Sequence, residues 1–491
     1  MVSQNAQLLA SPVELPCGRT VPNRLVKAAM VELQAPFGGG ALGDHELNLY
    51  KDWAQGGYGM IMTGNIAVDE SHLGTPWDVN IKRQVSSQQM EQFKKYARVC
   101  KDGKAPSSSG STARPLAIVQ LVHAGRQSGR GFGRSPLKPA LAPSSVPMAT
   151  AKGALPGPLA TAFDWALWGP CQAMTTEQVR EHVQRFVDSA ELAYQAGFDG
   201  VELHGSHGYS LASFLSPKTN QRTDEYGGSA RKRFRIIEEI ISEIRQRVPR
   251  DFVIGIKLNS ADYVHGGLTE DDALQNVQWL AEMGTCDFVE ISGGNYENPS
   301  FMMHEFNADD EQAKLAEPNG QAKESSNDTV RKPKMKESTQ KREAFFAGFA
   351  NRAASVLPKP AAGRESVPPM ALMVTGGLRS RAGCAQAIES AGVSLCGLAR
   401  ASALEPRLPL VFCDASIPDD HPSTRVPIPG LAEHPPALIS WLPLKLVGAG
   451  WTTLYHAAQM ARIVDGKSPD GEVGALSLIG GLFMPRWLRS G

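Results

Sequence analysis

The chain has 491 residues, with 50 lysines and arginines balancing 50 aspartates and glutamates, so it carries no basic field to recruit nucleic acid and its length accommodates one large domain or up to about three ordinary ones. Seven cysteines (Cys17, Cys100, Cys171, Cys286, Cys384, Cys396 and Cys413) include no Cys-x-x-Cys pair, which argues against a zinc ribbon, an iron–sulfur cluster or a disulfide framework. Reduced thiols in a cytoplasmic setting and a small-molecule partner are the expectation.

In chain order, the opening MVSQNAQLLASPVELPCG lacks the basic start and apolar core of a secretory signal. Eight short apolar runs follow, with helical or loop material between them: Val26 to Met30, Gly59 to Thr63, Leu116 to Val122, Asp199 to Leu203, Phe252 to Leu258, Asp287 to Ile291, Ala371 to Thr375 and Val393 to Leu398. They are apolar throughout rather than alternating, which suits strands covered on both faces, and eight is the number that closes a (β/α)8 barrel, the TIM-barrel form of the α/β class. The polar SSSGSTARP run from Ser107 reads as a loop ahead of the third strand.

Between strands, Thr175 and Gln178 form a T-x-x-Q capping box, and Val179, Val183, Phe186, Val187 and Ala190 then share one helical face until Gly197. Phe234, Ile237, Ile241 and Ile244 repeat the pattern until Pro249. Residues 307–340 are charged and nearly free of large apolar side chains, so they are expected to form a disordered insertion after the sixth strand. The last apolar stretch, ALISWLPLKLVGAGWTTLYHAAQMARIV, is broken by Pro443, Lys445 and a Thr-Thr pair and falls short of a membrane span of about 20 clean apolar residues. It reads as a helix packed on the protein, and closure over the barrel or a homo-oligomer contact both stay open for it. The expected division is a barrel over residues 1–410 and a C-terminal helical extension over 411–491.

The segment VELHGSHGYSLASFLSPKTNQRTDEYGGS places His204 one residue after the fourth strand run, at the barrel mouth where active sites lie. Gly205 and Gly208 favour a tight turn that points His204 and His207 into one space. HGSH has neither the spacing nor the glutamate of a helical H-E-x-x-H zinc site. Metal ligation in a barrel hydrolase, a structural histidine pair, and a pair of donors on a carbonyl oxygen remain the three readings.

The block GFDGVELHGSHGYSLASFLSPKTNQRTDEYGGS resembles the signature of the Old Yellow Enzyme family of flavin-dependent ene-reductases. NRLVKAAM, GGYGMIMTGN, QLVHAGRQ, KLNSADYVHGGLT, FVEISGG, VTGGLRSR and LCGLARASALEP resemble other family segments in the right order, so the likeness runs from about Leu8 to Pro406 outside the insertion. It implies noncovalent FMN at the barrel mouth, reduced by NADH or NADPH, which passes hydride from N5 to the activated C=C of an α,β-unsaturated carbonyl or quinone-like compound. By the same resemblance Gln120 meets the pyrimidine edge of the ring, and Lys257 replaces the arginine common beside N1, a point charge where a fork is usual. Gly376, Gly377, Ala399 and Arg400 hold the phosphate, and Ala28, Ala29, Met30 and Asn65 supply the remaining flavin contacts. Val31 stands where relatives place threonine or cysteine near O4. His204 and His207 are implied to grip the carbonyl oxygen, and Tyr209 to deliver the proton or to gate the flavin. Arg222, Asp224 and Tyr226 read as an ion-paired loop brace near the surface, while His123 and Arg126 organise the flavin loop or touch substrate. A flavin-binding isomerase or scaffold with altered chemistry is the alternative, since fold does not fix function.

Overall fold

The computed structural model describes residues 2–298 apart from 109, 111 and 151–154, residues 348–357, residues 367–433 apart from 428, and residues 445–474. The insertion expected at 307–340 lies outside them. Eight parallel strands form the barrel: β1 Leu25–Lys27, β2 Met60–Ala67, β3 Leu116–Val122, β4 Gly200–Gly205, β5 Val253–Asn259, β6 Phe288–Ser292, β7 Ala371–Thr375 and β8 Leu395–Leu398. Each pairs with the next, β8 pairs with β1, and the ring closes.

Alternation along the strands sorts two apolar layers. Inward residues, among them Met60, Met62, Ile118, Val253, Phe288, Met373 and Leu395, fill the interior. Outward residues such as Ile61, Val119, Leu203, Ile256 and Val289 pack under the helices. Both faces of each strand are therefore dry, which explains the unbroken apolar runs. A short hairpin, Val13–Glu14 paired with Thr20–Val21, adds Val13, Leu15, Cys17 and Val21 to the interior cluster and plugs the end opposite the site.

The surrounding helices include α1 Leu47–Ala54, α2 Ser87–Lys101, α3 Thr176–Gln195, α4 Ala230–Arg247, α5 Glu270–Met283, α6 Arg381–Ala391, the one-turn α7 Arg400–Leu404 and α8 Lys445–Val464. The capping box of Thr175 and Gln178 opens α3 as expected, and α4 ends at Arg247, with Val248 as its cap ahead of Pro249. A second box, Thr269 with Asp272, opens α5. The run after Ser107 is not simply a loop, because Ala105–Pro106 pairs antiparallel with Thr112–Ala113. The C-terminal stretch does form a helix, α8, which packs on α1 and α7 and is tied at its end by His45 to Asp465 at 2.9 Å. Among the described residues no helix is long and apolar enough to cross a membrane.

Gly255 shows how tightly the interior is filled. A Cβ there would lie 2.2 Å from the Phe288 ring, so Gly255→Ala is expected to cost about 1–3 kcal/mol through overpacking. Urea unfolding of the flavin-free protein checks this, with Phe288→Leu in the same chain recovering most of the loss.

Candidate active site

At the C-terminal ends of the strands a cleft is lined by Ala29, Met30, Val31, Asn65, Gln120, His204, His207, Tyr209, Lys257, Ser292, Tyr296, Thr375, Gly376, Ala399 and Arg400, and by Thr452, Thr453, His456 and Met460 of α8. It encloses about 210 Å³ and continues into open solvent.

The floor is charged. Gln120, Glu202, Lys257 and Glu290 all point inward from β3 to β6, and all four are buried. Gln120 Nε2 donates to Glu202 Oε2 at 2.6 Å, and Lys257 Nζ lies 2.6 Å from Glu290 Oε1. Burial first, and the Glu290 charge and hydrogen bond next, push the Glu202 carboxyl well above the carboxylate range. Burial and the nearby Glu290 carboxylate thus favour the neutral form of Glu202. With one Gln120 N–H donated to Glu202, the amide Oε1 remains as an acceptor and Gln120 lines the cleft. That suits a ring N–H, and the neighbouring ammonium suits an anionic ring edge.

The wall on the β2 side depends on a bulge. Met62 pairs with Ile118 but Asn65 pairs with Gln120, so three steps on β2 span two on β3. Side chains take the displaced backbone groups: Gln120 N donates to Thr63 Oγ1 at 3.0 Å and Gly64 N donates to the Tyr50 hydroxyl at 2.7 Å. The bulge also carries β2 past the expected Thr63 to Ala67 and makes Asn65 a strand residue facing the cleft. Its Nδ2 donates to Tyr209 Oη at 3.3 Å, and Tyr209 Oη is 3.2 Å from Tyr296 Oη.

His204 is the fifth residue of β4, and His207 sits in a left-handed turn at φ 57°. Their ring centroids are 5.2 Å apart, so the turn does bring the two imidazoles together. Ser206 N approaches His204 Nδ1 at 3.4 Å as a donor, which leaves the proton on Nε2; His207 Nε2 is 2.7 Å from Ser292 Oγ. Burial, and secondarily the neighbouring His207 and Lys257 charges for His204 and Lys257 for His207, hold both rings well below the usual histidine range. Both are neutral at physiological pH. Burial, reinforced by Tyr296 and Asp78, keeps the Tyr209 phenol well above its usual range.

The phosphate candidates lie across the cleft. Gly376 and Gly377 have φ of 130° and 80°, conformations that bring bare backbone to the rim. Arg400 is lowered to about 10 by burial and by Arg379, and remains a cation. Of the expected cofactor residues, Ala28 does not line the cleft, because its side chain packs in the barrel interior; Gly377 adjoins the wall through Gly376.

Other expected residues separate from the site. Arg222 does brace its loop, on Asp224 and on the carbonyls of Pro143 and Met174. Tyr226 is not near-surface, however: it is 1% exposed and donates to Glu239 Oε2 at 2.8 Å. Arg126 pairs with Glu297 at 3.2 Å, and His123 stacks on His72 at 4.5 Å, both away from the cleft lining. Among the described residues the one group with metal-ligand spacing is Asp69, His72 and His123, not His204 with His207. In that group Leu141 N donates to His72 Nε2 and Gly125 N donates to His123 Nδ1, both at 3.0 Å. Each ring therefore presents an N–H, not a lone pair, toward Asp69.

Residues that sequence reasoning missed include Ser292, Tyr296, Thr375 and the four from α8. Ser292 and Thr375 could have been found, since each ends an inward-alternating strand. The face of Thr452, Thr453, His456 and Met460 shows helical spacing, but nothing in it names the surface it covers.

A model of the NADH:flavin oxidoreductase / NADH oxidase family matches residues 9–300. The NADH-dependent flavin oxidoreductase iliE of Hypocrea jecorina (strain QM6a) is 35% identical over 408 residues, 82% of this chain and 88% of that one. The protein of the same name from Neonectria sp. (strain DH2) is 36% identical over 81% of this chain, which spans only 46% of it. An NADPH dehydrogenase of Bacillus subtilis (strain 168) is 32% identical over 59% of this chain and 74% of its own. Among solved structures, an old yellow enzyme homologue from Zymomonas mobilis superposes with a TM-score of 0.57 at 17% identity, covering 86% of this chain and 97% of that one, and morphinone reductase does so with 0.56 at 19%, covering 85% and 93%. These two likenesses show a shared fold.

The floor network makes a stability prediction. Lys257→Met would strand the Glu290 anion and is expected to cost about 3–5 kcal/mol. Adding Glu290→Gln should recover much of it in urea unfolding, because no buried charge is then left unpaired.

Proposed function

Because the chain belongs to the NADH:flavin oxidoreductase / NADH oxidase family, flavin oxidoreductases of the Old Yellow Enzyme type that use FMN with NADH or NADPH, we propose that it reduces the activated C=C of an α,β-unsaturated carbonyl compound. The observation that carries this reading is the neutral pair His204 and His207 set beside Tyr209, opposite Gln120 and Lys257 in one cleft.

FMN, when bound, supplies the hydride it has taken from the nicotinamide. The chain's own residues do the rest. Lys257 places a cation at the ring edge where reduction leaves negative charge, and Gln120 offers its carbonyl oxygen to a ring N–H. His204 directs Nε2–H at the cleft. A Ser292 hydroxyl that donates to His207 Nε2 puts that ring's proton on Nδ1, so both imidazoles can donate to one carbonyl oxygen and stabilise the charge that develops there. The Tyr209 phenol, kept protonated by burial, accepts from Asn65 and can pass its own proton to the α-carbon, with Tyr296 in line to resupply it. Gly376, Gly377, Ala399 and Arg400 form the phosphate end. Val31 on the wall offers no side-chain hydrogen bond to the ring, whereas Asn65 brings a polar side chain from β2 to the same cleft.

Anaerobic spectroscopy tests the reading. Yellow protein should bleach with NADH or NADPH and regain its bands on addition of 2-cyclohexenone. Protein that takes up no FMN would refute it; protein that bleaches but is reoxidised by no enone would favour altered chemistry. Tyr209→Phe is expected to slow reoxidation by the enone by about 10²-fold while leaving reduction by nicotinamide unchanged. Since both histidines are held well below their usual range, enone affinity should stay flat from about pH 5 to 8, and a sigmoidal rise toward acid in a binding titration would contradict the neutral-donor assignment.

A further inference from the structure

Helix α8 lies beyond residues 9–300 that the family model matches. It nevertheless turns Thr452, Thr453, His456 and Met460 into the cleft. His456 is 4% exposed, and its Nδ1 is 2.7 Å from the Thr452 carbonyl oxygen. A carbonyl can only accept, so Nδ1 carries the ring proton and Nε2 of the neutral imidazole is an acceptor. Arg400 of α7 lines the same cleft, and α7 packs on α8. Thus a buried imidazole with a lone pair on Nε2 lines the same cleft as the Arg400 guanidinium and the Gly376 backbone.

We propose that His456 positions the phosphate of the flavin, with α8 forming a third wall of the anion site and His456 Nε2 sharing one proton with a phosphate oxygen. This rests on the flavin reading above. The Arg400 guanidinium and the backbone at Gly376 can donate to a phosphate directly, but Nε2 has no hydrogen to give. Contact between Nε2 and a phosphate oxygen therefore requires a proton, either retained by a phosphate that enters as the monoanion or taken from solvent by the ring; only an O–H or N–H bond changes.

The sign of the pH dependence follows. In the flavin-free protein, burial first and Arg400 second hold His456 at about 3, against a small opposing pull from the Thr452 carbonyl, so the ring is neutral. The phosphate charge raises its proton affinity. The complex then holds a proton that a complex without His456 would not, and affinity falls as pH rises through the pKa of that shared proton. Among the described residues the titratable groups that bear on His456 are Arg400 on α7 and Tyr455, whose ring is 5.3 Å away on α8 itself.

Calorimetric binding of FMN and of riboflavin to the flavin-free protein, in two buffers of different ionisation enthalpy near neutral pH, tests the proposal on wild type and His456→Gln. The expected result is about tenfold weaker FMN binding in the variant, unchanged riboflavin binding, and up to one more proton taken up with FMN by wild type than by the variant. Equal losses for both flavins, or equal proton counts, would overturn it and make His456 a packing residue. Wild type that binds neither flavin would overturn the flavin reading, and this inference with it. Nitrogen-15 histidine spectra of wild type follow the same proton without any substitution: His456 Nε2 should leave its lone-pair resonance when FMN is added but not when riboflavin is, and a resonance that stays in place contradicts the shared proton.

Discussion

The 2.6 Å ion pair of Lys257 and Glu290, set in a barrel interior that is otherwise apolar below it, ties the chemistry of the cleft to the packing beneath. A lone ammonium at that depth would lose its proton and a lone carboxylate would gain one. Pairing keeps Lys257 available as a cation, but Glu290 sits against a second buried carboxyl. Two anions and one cation are costly in a dry site, so the Glu202 carboxyl is pushed well above the carboxylate range, and its Oε2 accepts from Gln120. The orientation of the Gln120 amide, and hence the oxygen it offers above, follows from the hydrogen bond its Nε2 donates to Glu202 one step below.

Much of this architecture was legible in the chain. Strands covered on both faces produce unbroken apolar runs, and all eight runs became barrel strands, two with unchanged bounds and the others with boundaries moved by up to four residues. The register of His204 opposite Lys257 at the mouth could be anticipated because strand ends in this fold share one rim. Glu202 and Glu290 were harder to read, since a carboxylate inside an apolar strand can mark an edge, a surface or a buried pair, and only the curvature of the ring turns both toward the same interior. Tyr226 misled in the opposite direction. Its polar neighbours suggested a loop near solvent, whereas the Arg222–Asp224 brace folds the loop down and the ring is covered.

The C-terminal helix was least legible, for a physical reason. Helical periodicity tells which residues share a face but not what that face meets. Thr452, Thr453 and His456 are small or polar, a composition that ordinarily means solvent, and here it means a cleft that is itself polar. The end of the chain is in this respect built like the strand ends: it contributes a few polar atoms to a cavity whose apolar walls come from elsewhere.

The bulge in β2 has a consequence for how that strand can vary. A strand keeps its two faces apart by parity, and the extra step between Met62 and Asn65 resets the parity halfway along. Met60 and Met62 point inward by even count, whereas Asn65 and Ala67 do so by odd count. Removing one residue there would leave every side chain chemically intact yet exchange the two faces of the upper half, sending Asn65 under the helices and Ile66 into the cleft. The segment thus tolerates substitution far more readily than a change in length, and its counting frame, as much as its composition, is what the site inherits.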